Sequence, residues 1–342
     1  LIGTCDGNHE VREMATEYVK RVGTVGRKDL ESPPIVQSLL STFVGGRQQA
    51  TPASWSLREK ILEQLLHSTV VTTMAPWCVK LTFESLFGPG TTSKVQCVGC
   101  EFAKRFVESA AEPVLNPVKA LMLQALSKML RQSIASSYVF FIFLSFSISC
   151  WSLSFSLSLF LLPSCSTHIS YSRVLLSLSL LCSSLTKDVV RLTSMSSAGL
   201  VSLAGRSPGL FGRDLELPDM MFELLSSGEN ELRASAQEAL SSLVEAYVVS
   251  ATPDVLERLR TKLLVRSNEE DFRVRSCALT WLGRLYPFED PAVRYVCMEL
   301  SSDPRQEVRR LATNGLILST TTVAASSYPS PWGRPRASWT CR

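Results

Sequence analysis

Asp271-Phe-Arg-Val-Arg-Ser-Cys-Ala-Leu-Thr-Trp-Leu-Gly-Arg-Leu285 decides the fold, because its spacing of apolar residues returns along the chain. Val274, Ala278, Trp281, Leu282 and Leu285 stand at i, i+4, i+7, i+8 and i+11. At ~100° per residue they gather into one stripe of a helix, and a stripe of that kind has to be buried. Arg275 sits at its edge, where the stem can cover apolar surface while the guanidinium stays wet.

The template recurs as Leu232-Arg233, Ala236, Ala239, Leu240, Leu243, and as Val308-Arg309, Ala312, Gly315, Leu316. An N-terminal copy reads Val11-Arg12, Ala15, Tyr18, Val19, Val22, and a looser one Val118-Lys119, Met122, Ala125, Leu126, Met129. Offsets of 42 residues (232 to 274) and 34 residues (274 to 308) fall in or near the range of helical repeats, where one amphipathic helix cannot bury its face alone. The expected fold is all-α, a HEAT/armadillo-like helical-repeat solenoid. An ordinary helical bundle is the alternative.

Composition agrees with this class and narrows function. The 342 residues exceed one ordinary domain, but a repeat array grows without one growing core. A net charge of +4, from 35 basic and 31 acidic residues, gives no reason to expect nucleic acid. The chain starts at Leu1 and opens directly into a helical pattern, as expected of a piece of a longer protein.

The ten cysteines are scattered, several on predicted helix faces such as that of Cys277, with no secretory signal beside them. Reduced thiols in the cytoplasm, with the nucleus as a second compartment, are therefore expected. Cys97-Val-Gly-Cys100 is the one close pair; a zinc site would want a second pair or paired histidines, and His9, His67 and His168 stand apart. No metal is expected.

Taken in order, the pattern predicts helices over 8–22, 35–44 (Ile35, Leu39, Leu40 and Phe43 on one face), from Trp55 through Leu66, over 74–87 and around 95–110. Phe87-Gly-Pro-Gly-Thr-Thr-Ser-Lys94 has the glycines, hydroxyls and lysine of a phosphate loop. It lacks the four-residue glycine spacing, the Gly-Lys-Ser/Thr ending and a preceding strand, so it reads as a helix stop followed by a Thr/Ser N-cap. After the middle of the chain, helices are predicted over 188–203, 219–225, 232–243, 253–265, 274–285 and 293–300, followed by the last copy.

Residues 133–186 break these rules. No acid occurs from Pro113 to Lys187, and Tyr138 to Leu162 is an uncharged run built largely of Ser, Leu and Phe. By length it could span a bilayer, but Ser-Leu-Ser-Phe-Ser-Leu-Ser-Leu alternates with period two, as translated pyrimidine-rich non-coding sequence would. The leading expectation is a translated non-coding insert; a membrane span and a genuine low-complexity insert are the alternatives. Expected domains are helical repeats over 1–132, the insert over 133–186, the same array continuing over 187–318, and a disordered tail over 319–342.

Several motifs then carry a resemblance. Phe83-Glu-Ser-Leu-Phe-Gly-Pro-Gly-Thr-Thr-Ser-Lys94, Ser197 through Asp214 (with Ala204-Gly-Arg-Ser-Pro-Gly209), Leu232 through Tyr247, Val293-Arg-Tyr295 and Asp303 through Ala312 resemble the N-terminal third of the proteasome adaptor and scaffold family. The likeness covers roughly 1–132 and 187–318, and that family has no counterpart to 133–186. The resemblance implies very long HEAT-repeat proteins that bind proteasome core and regulatory particles, tether the two, and meet other proteins through the solenoid surface.

It also implies a non-enzymatic scaffold with no catalytic, cofactor-binding or metal-binding residues, no cofactor and no nucleic-acid partner. A transport receptor or phosphatase-type scaffold would use the same repeats, as would a membrane-anchored helical-repeat protein. An enzyme would need converging titratable groups, whereas the acids here sit mostly in turns and on repeat edges.

Overall fold

The computed structural model describes residues 8–23, 32–45, 54–136, 168–287 and 290–326. Every regular element among them is helical: α1 (His9–Gly23), α2 (Pro33–Val44), α3 (Trp55–Leu65), α4 (Ala75–Phe87), α5 (Ser93–Ser109), α6 (Glu112–Leu115), α7 (119–136), α8 (His168–Arg206), α9 (Glu216–Leu225), α10 (Asn230–Ser250), α11 (Pro253–Arg266), α12 (Phe272–Leu285), α13 (Pro291–Leu300) and α14 (Gln306–Ser326). This is the all-α helical-repeat class. The chain divides into two compact units, Leu1–Leu203 and Ala204–Arg342, with the division inside α8.

In the first unit α2 packs on α3 and α4, while α5 packs on both α3 and α4. The helix starts are written locally. Ser54 Oγ accepts the Leu57 N–H ahead of α3 at 3.4 Å, and Thr92 Oγ1 accepts the Val95 N–H at 3.4 Å, the N-cap expected of the Thr/Ser pair. Gly88 stops α4, and a Cβ there would stand 2.4 Å from the Glu84 carbonyl oxygen. Leu86, Cys97, Cys100, Ala125, Met129 and Leu192 form one buried cluster that ties α4, α5, α7 and α8 together. Gly199 keeps α8 close to α7, since a Cβ would lie 3.0 Å from Leu126.

In the second unit short turns fold each helix back on the last, giving the pairs α9/α10, α11/α12 and α13/α14. The second helices of the pairs also touch in series, α10 on α12 and α12 on α14. That layer carries the template residues: Leu232, Ala236, Ala239, Leu240 and Leu243 are buried on α10, Val274, Ala278, Trp281 and Leu282 on α12, Val308, Ala312 and Gly315 on α14. Trp281 is 1% exposed. Leu285 is half-buried, and Leu279, outside the stripe, is buried because α12 is covered by α10 on one side and α14 on the other.

The structure corrects the sequence reading in several places. On α2 Leu40 and Phe43 are buried where expected and Leu39 is half-buried, but Val36 is buried in place of Ile35, which is exposed. The N-terminal template copy forms α1, yet Val11 and Tyr18 are exposed, Tyr18 at 69%; periodicity fixes which residues share a face, not whether anything covers it. Arg275 is not a wet edge residue: its side chain is only 12% exposed. Helix α14 continues to Ser326 where disorder was expected from 319, in keeping with propagation being cheaper than nucleation.

Around the Ser/Leu/Phe-rich insert, α7 runs on to 136, with Ser133 and Ile134 buried and Thr193 Oγ1 donating to Ser133 Oγ at 2.9 Å. Helix α8 begins at His168. The uncharged run Tyr138 to Leu162 lies outside the described residues, and among those described no helix is long and apolar enough to cross a membrane.

Candidate interaction surface

A set of charged side chains in the second unit joins turns and helices to one another. In each of the three second helices the template arginine turns back onto carbonyls five and six residues before it. Arg233 Nη1 donates to Ser227 and Gly228 at 2.6 and 2.8 Å, Arg275 Nη1 to Glu269 and Glu270 at 2.8 and 2.7 Å, and Arg309 Nη1 to Asp303 and Pro304 at 2.6 and 2.9 Å. A carbonyl pair that the turn leaves unbonded is thereby satisfied by a charge-assisted donor.

Arg275 goes further, reaching the next repeat. Its Nε and Nη2 bond Asp303 Oδ2 and Oδ1 at 2.7 and 3.1 Å, and Asp303 Oδ1 also accepts the Arg305 N–H at 2.7 Å. Burial alone would raise the Asp303 carboxyl, but these bonds and the Arg275 and Arg309 charges outweigh it and hold the group below its ordinary range.

First helices are linked in the same way. Lys262 on α11 pairs with Asp219 on α9, Arg266 with Glu223 at 3.9 Å, and Arg260 with Asp290 at 2.6 Å ahead of α13. Arg284 on α12 pairs with Glu245 on α10. These are carboxylates and cations doing structural work between repeats, in partly exposed positions where each pair is worth little but the series sets the register of stacking.

The thiols are of the same kind. Cys97 and Cys100 are buried in the α4/α5/α7/α8 cluster, and burial pushes both thiols up, for Cys97 against the lowering charge of Arg191. Burial raises Cys78 and Cys277 to about 12 and Cys297 to about 11. No group of three or more His, Cys, Asp or Glu side chains that could hold a metal ion occurs among the described residues.

The phosphate-loop-like turn is a tight connection between α4 and α5. Gly90 has φ +75, Thr91 Oγ1 donates to the Ser85 carbonyl at 2.9 Å, and Trp55 leans on the turn, so that a Cβ at Gly90 would stand 3.1 Å from Trp55 Nε1. A shallow groove lined by Leu65, Ser68, Val71, Arg105 and Phe106 among others has a cavity volume of about 10 Å³, room for no more than about one water.

Tyr295 and Met298 are exposed side by side on α13, Val265 on α11 and Val249 on α10. Arg58 is a feature the sequence reading missed: it is buried with its guanidinium carbon 4.4 Å from the Trp55 ring centroid and 5.5 Å from that of Phe43. The i, i+3 spacing of Trp55 and Arg58 on one helix face was the available signal.

Residues 1–139 and 186–299 match the family described as proteasome component ECM29, N-terminal. The chain belongs to this family. A relative in Homo sapiens, the proteasome adapter and scaffold protein ECM29, is 22% identical over 323 residues, which is 90% of this chain and 14% of that protein. The chain therefore spans about one seventh of the length of that ECM29 relative. Among solved structures, an engineered protein aligns with 84% of this chain and 97% of its own at 13% identity, with a TM-score of 0.42.

Proposed function

We propose that this chain is a segment of a non-enzymatic scaffold that binds the proteasome and holds its core and regulatory particles together, acting in the cytoplasm and the nucleus. The observation that carries this reading is the ECM29-family match over 1–139 and 186–299. The family match passes over 140–185, which supports reading the Ser/Leu/Phe-rich run as an interruption of the repeat array.

The side-chain chemistry supports the same reading. Asp219, Glu245, Asp290 and Asp303 are each engaged with a cation of another helix, a use of carboxylates that fixes a scaffold and leaves them unsuited to acid–base work. Repeat arrays bind through corresponding positions of successive repeats, so affinity sums over several weak contacts. Sedimenting the full-length protein with purified 26S proteasomes on a glycerol gradient tests the reading. It should travel with the particles; a protein that stays at the top of the gradient at physiological salt would refute it.

A further inference from the structure

Arg309 on α14 is the counterpart of Arg275 one repeat on. Each hooks Nη1 onto the carbonyls six and five residues before it, at 2.6 and 2.9 Å for Arg309 and at 2.8 and 2.7 Å for Arg275. Held in that way, Arg275 turns its Nε and Nη2 edge onto the Asp303 carboxylate at 2.7 and 3.1 Å. The same edge of Arg309 meets no acceptor among the described residues, and its nitrogens are not sealed from solvent. A planar guanidinium with that edge free matches a carboxylate, which takes two parallel N–H bonds.

A second guanidinium stands one turn before it. The Arg305 carbonyl accepts the Arg309 N–H at 3.1 Å, and the Arg305 side chain is exposed, its guanidinium carbon 4.8 Å from the Phe272 ring centroid. Arg273 lies over the same ring at 4.8 Å, but it has Asp271 at 3.4 Å. Among the described residues no carboxylate pairs with Arg305 or Arg309. Asp303 is spent, since both its oxygens bond Arg275 and one also takes the Arg305 N–H. Glu307 is two residues from each arginine, a spacing that puts it on the other side of the helix.

Like charges one turn apart repel, so this pair carries a surplus that a partner's carboxylate relieves. Residues 319–342 add to the surplus, with Arg334, Arg336 and Arg342 and no Asp or Glu. Four acids lie outside the described residues, Asp6, Asp29, Glu31 and Glu289, and Glu289 precedes α13, a helix of ten residues and therefore ~15 Å from the turn that leads into α14.

We infer that Arg305 and Arg309 form a binding point for a carboxylate side chain on an acidic segment of another protein, which takes toward Arg309 the place that Asp303 takes toward Arg275. This assigns two binding residues and a partner chemistry without resting on the proteasome reading.

The full 342-residue chain, labelled with ¹⁵N, is titrated at physiological salt with hexaglutamate blocked at both ends, hexaglutamine blocked at both ends, and an oligouridylate of the same charge as the hexaglutamate. The Nε–H resonances of the two arginines are assigned by their loss in Arg305→Lys and Arg309→Lys. Both should shift with hexaglutamate, stay in place with hexaglutamine, and move less with the oligouridylate. In the quadruple variant Asp6→Asn/Asp29→Asn/Glu31→Gln/Glu289→Gln, without peptide, both should stay where they are in the wild type.

Affinity for hexaglutamate should fall about tenfold in Arg305→Gln/Arg309→Gln and change little in Arg258→Gln/Arg294→Gln, which removes the same charge from exposed positions on α11 and α13. Should loss of the Arg309 hook disturb the fold, Arg305→Gln alone keeps the hook and should still weaken binding about threefold. Resonances unmoved by hexaglutamate, an equal response to the oligouridylate, equal losses in the two double variants, or a shift caused by the quadruple variant alone overturns the inference.

Discussion

Arg275 on α12 grips Asp303, in the turn before α14, with two nitrogens at 2.7 and 3.1 Å, and the two side chains are 12% and 3% exposed. This pair joins two consecutive repeats. Removing one partner strands a buried charge: Asp303→Asn should lower stability by about 3 kcal/mol. The double variant Arg275→Leu/Asp303→Leu should recover part of that loss, because no charge is left uncompensated. Urea unfolding of wild type, Arg275→Leu, Asp303→Leu and the double variant closes the cycle, and additive losses would contradict the coupling.

The same carboxylate gives a pH dependence with a definite sign. Asp303 is held below its ordinary value of 3.8 in the fold, so the unfolded chain binds its proton more readily. Its contribution is fully present above about pH 4 and is lost as pH falls through the folded value. The difference in melting temperature between wild type and Asp303→Asn should be constant from about pH 5 to 7 and shrink below about pH 4. A gap that widens with acid would reverse the assignment.

Trp281 fills the space between repeats. Its ring centroid is 5.8 Å from that of Phe222 on α9 and 5.7 Å from that of Tyr247 on α10. Trp281→Ala should cost about 3–5 kcal/mol through the cavity it leaves. The indole N–H has no acceptor among the described residues, so Trp281→Phe, which removes it, should cost only about 1–2 kcal/mol. Calorimetry of both variants checks the ratio.

How much of this was legible in the sequence depends on what covered each face. The α10, α12 and α14 copies were readable because neighbouring helices bury their stripes, and Val274, Ala278, Trp281 and Leu282 lie where the period puts them. The same period failed on α1, where Tyr18 is exposed, and on α2, where Val36 replaces Ile35 in the core. Arg275 was placed at the right edge of its stripe, but its partner Asp303 lies 28 positions on, and no local pattern joins them. Arg58 was invisible for a related reason: its neighbour Phe43 belongs to a different helix.

Helix contacts at glycines separate two otherwise similar substitutions. A Cβ at Gly99 on α5 would meet Ser85 Oγ at 2.4 Å and Cβ at 2.9 Å, forcing α4 and α5 apart, whereas nothing lies within 4 Å of one at Gly205. Gly99→Ala should destabilise by about 1–3 kcal/mol despite its helix-propensity gain. Gly205→Ala should be neutral or stabilising by up to about 1 kcal/mol. Thermal melts distinguish them.

Thiols whose ionisation the fold suppresses should be slow to react. With Cys78 and Cys277 raised to about 12 and Cys297 to about 11, thiolate is scarce at neutral pH. Iodoacetamide at pH 7.5 should leave these three unmodified in the native protein and modify them in urea, as read by site-resolved mass spectrometry. Rapid native labelling of Cys78, which is fully buried, would show that α4 is not packed as described.

The central claim, a proteasome scaffold built from stacked helical repeats, is tested most directly on native gels. Core and regulatory particles are mixed at a salt concentration that dissociates them, with and without the full-length protein, and the fraction assembled is measured. The account predicts that the protein shifts the particles toward the assembled band, and that a version carrying Asp303→Asn and Trp281→Ala, with its repeats destabilised, does so less. An assembled fraction unchanged by the wild-type protein would contradict it.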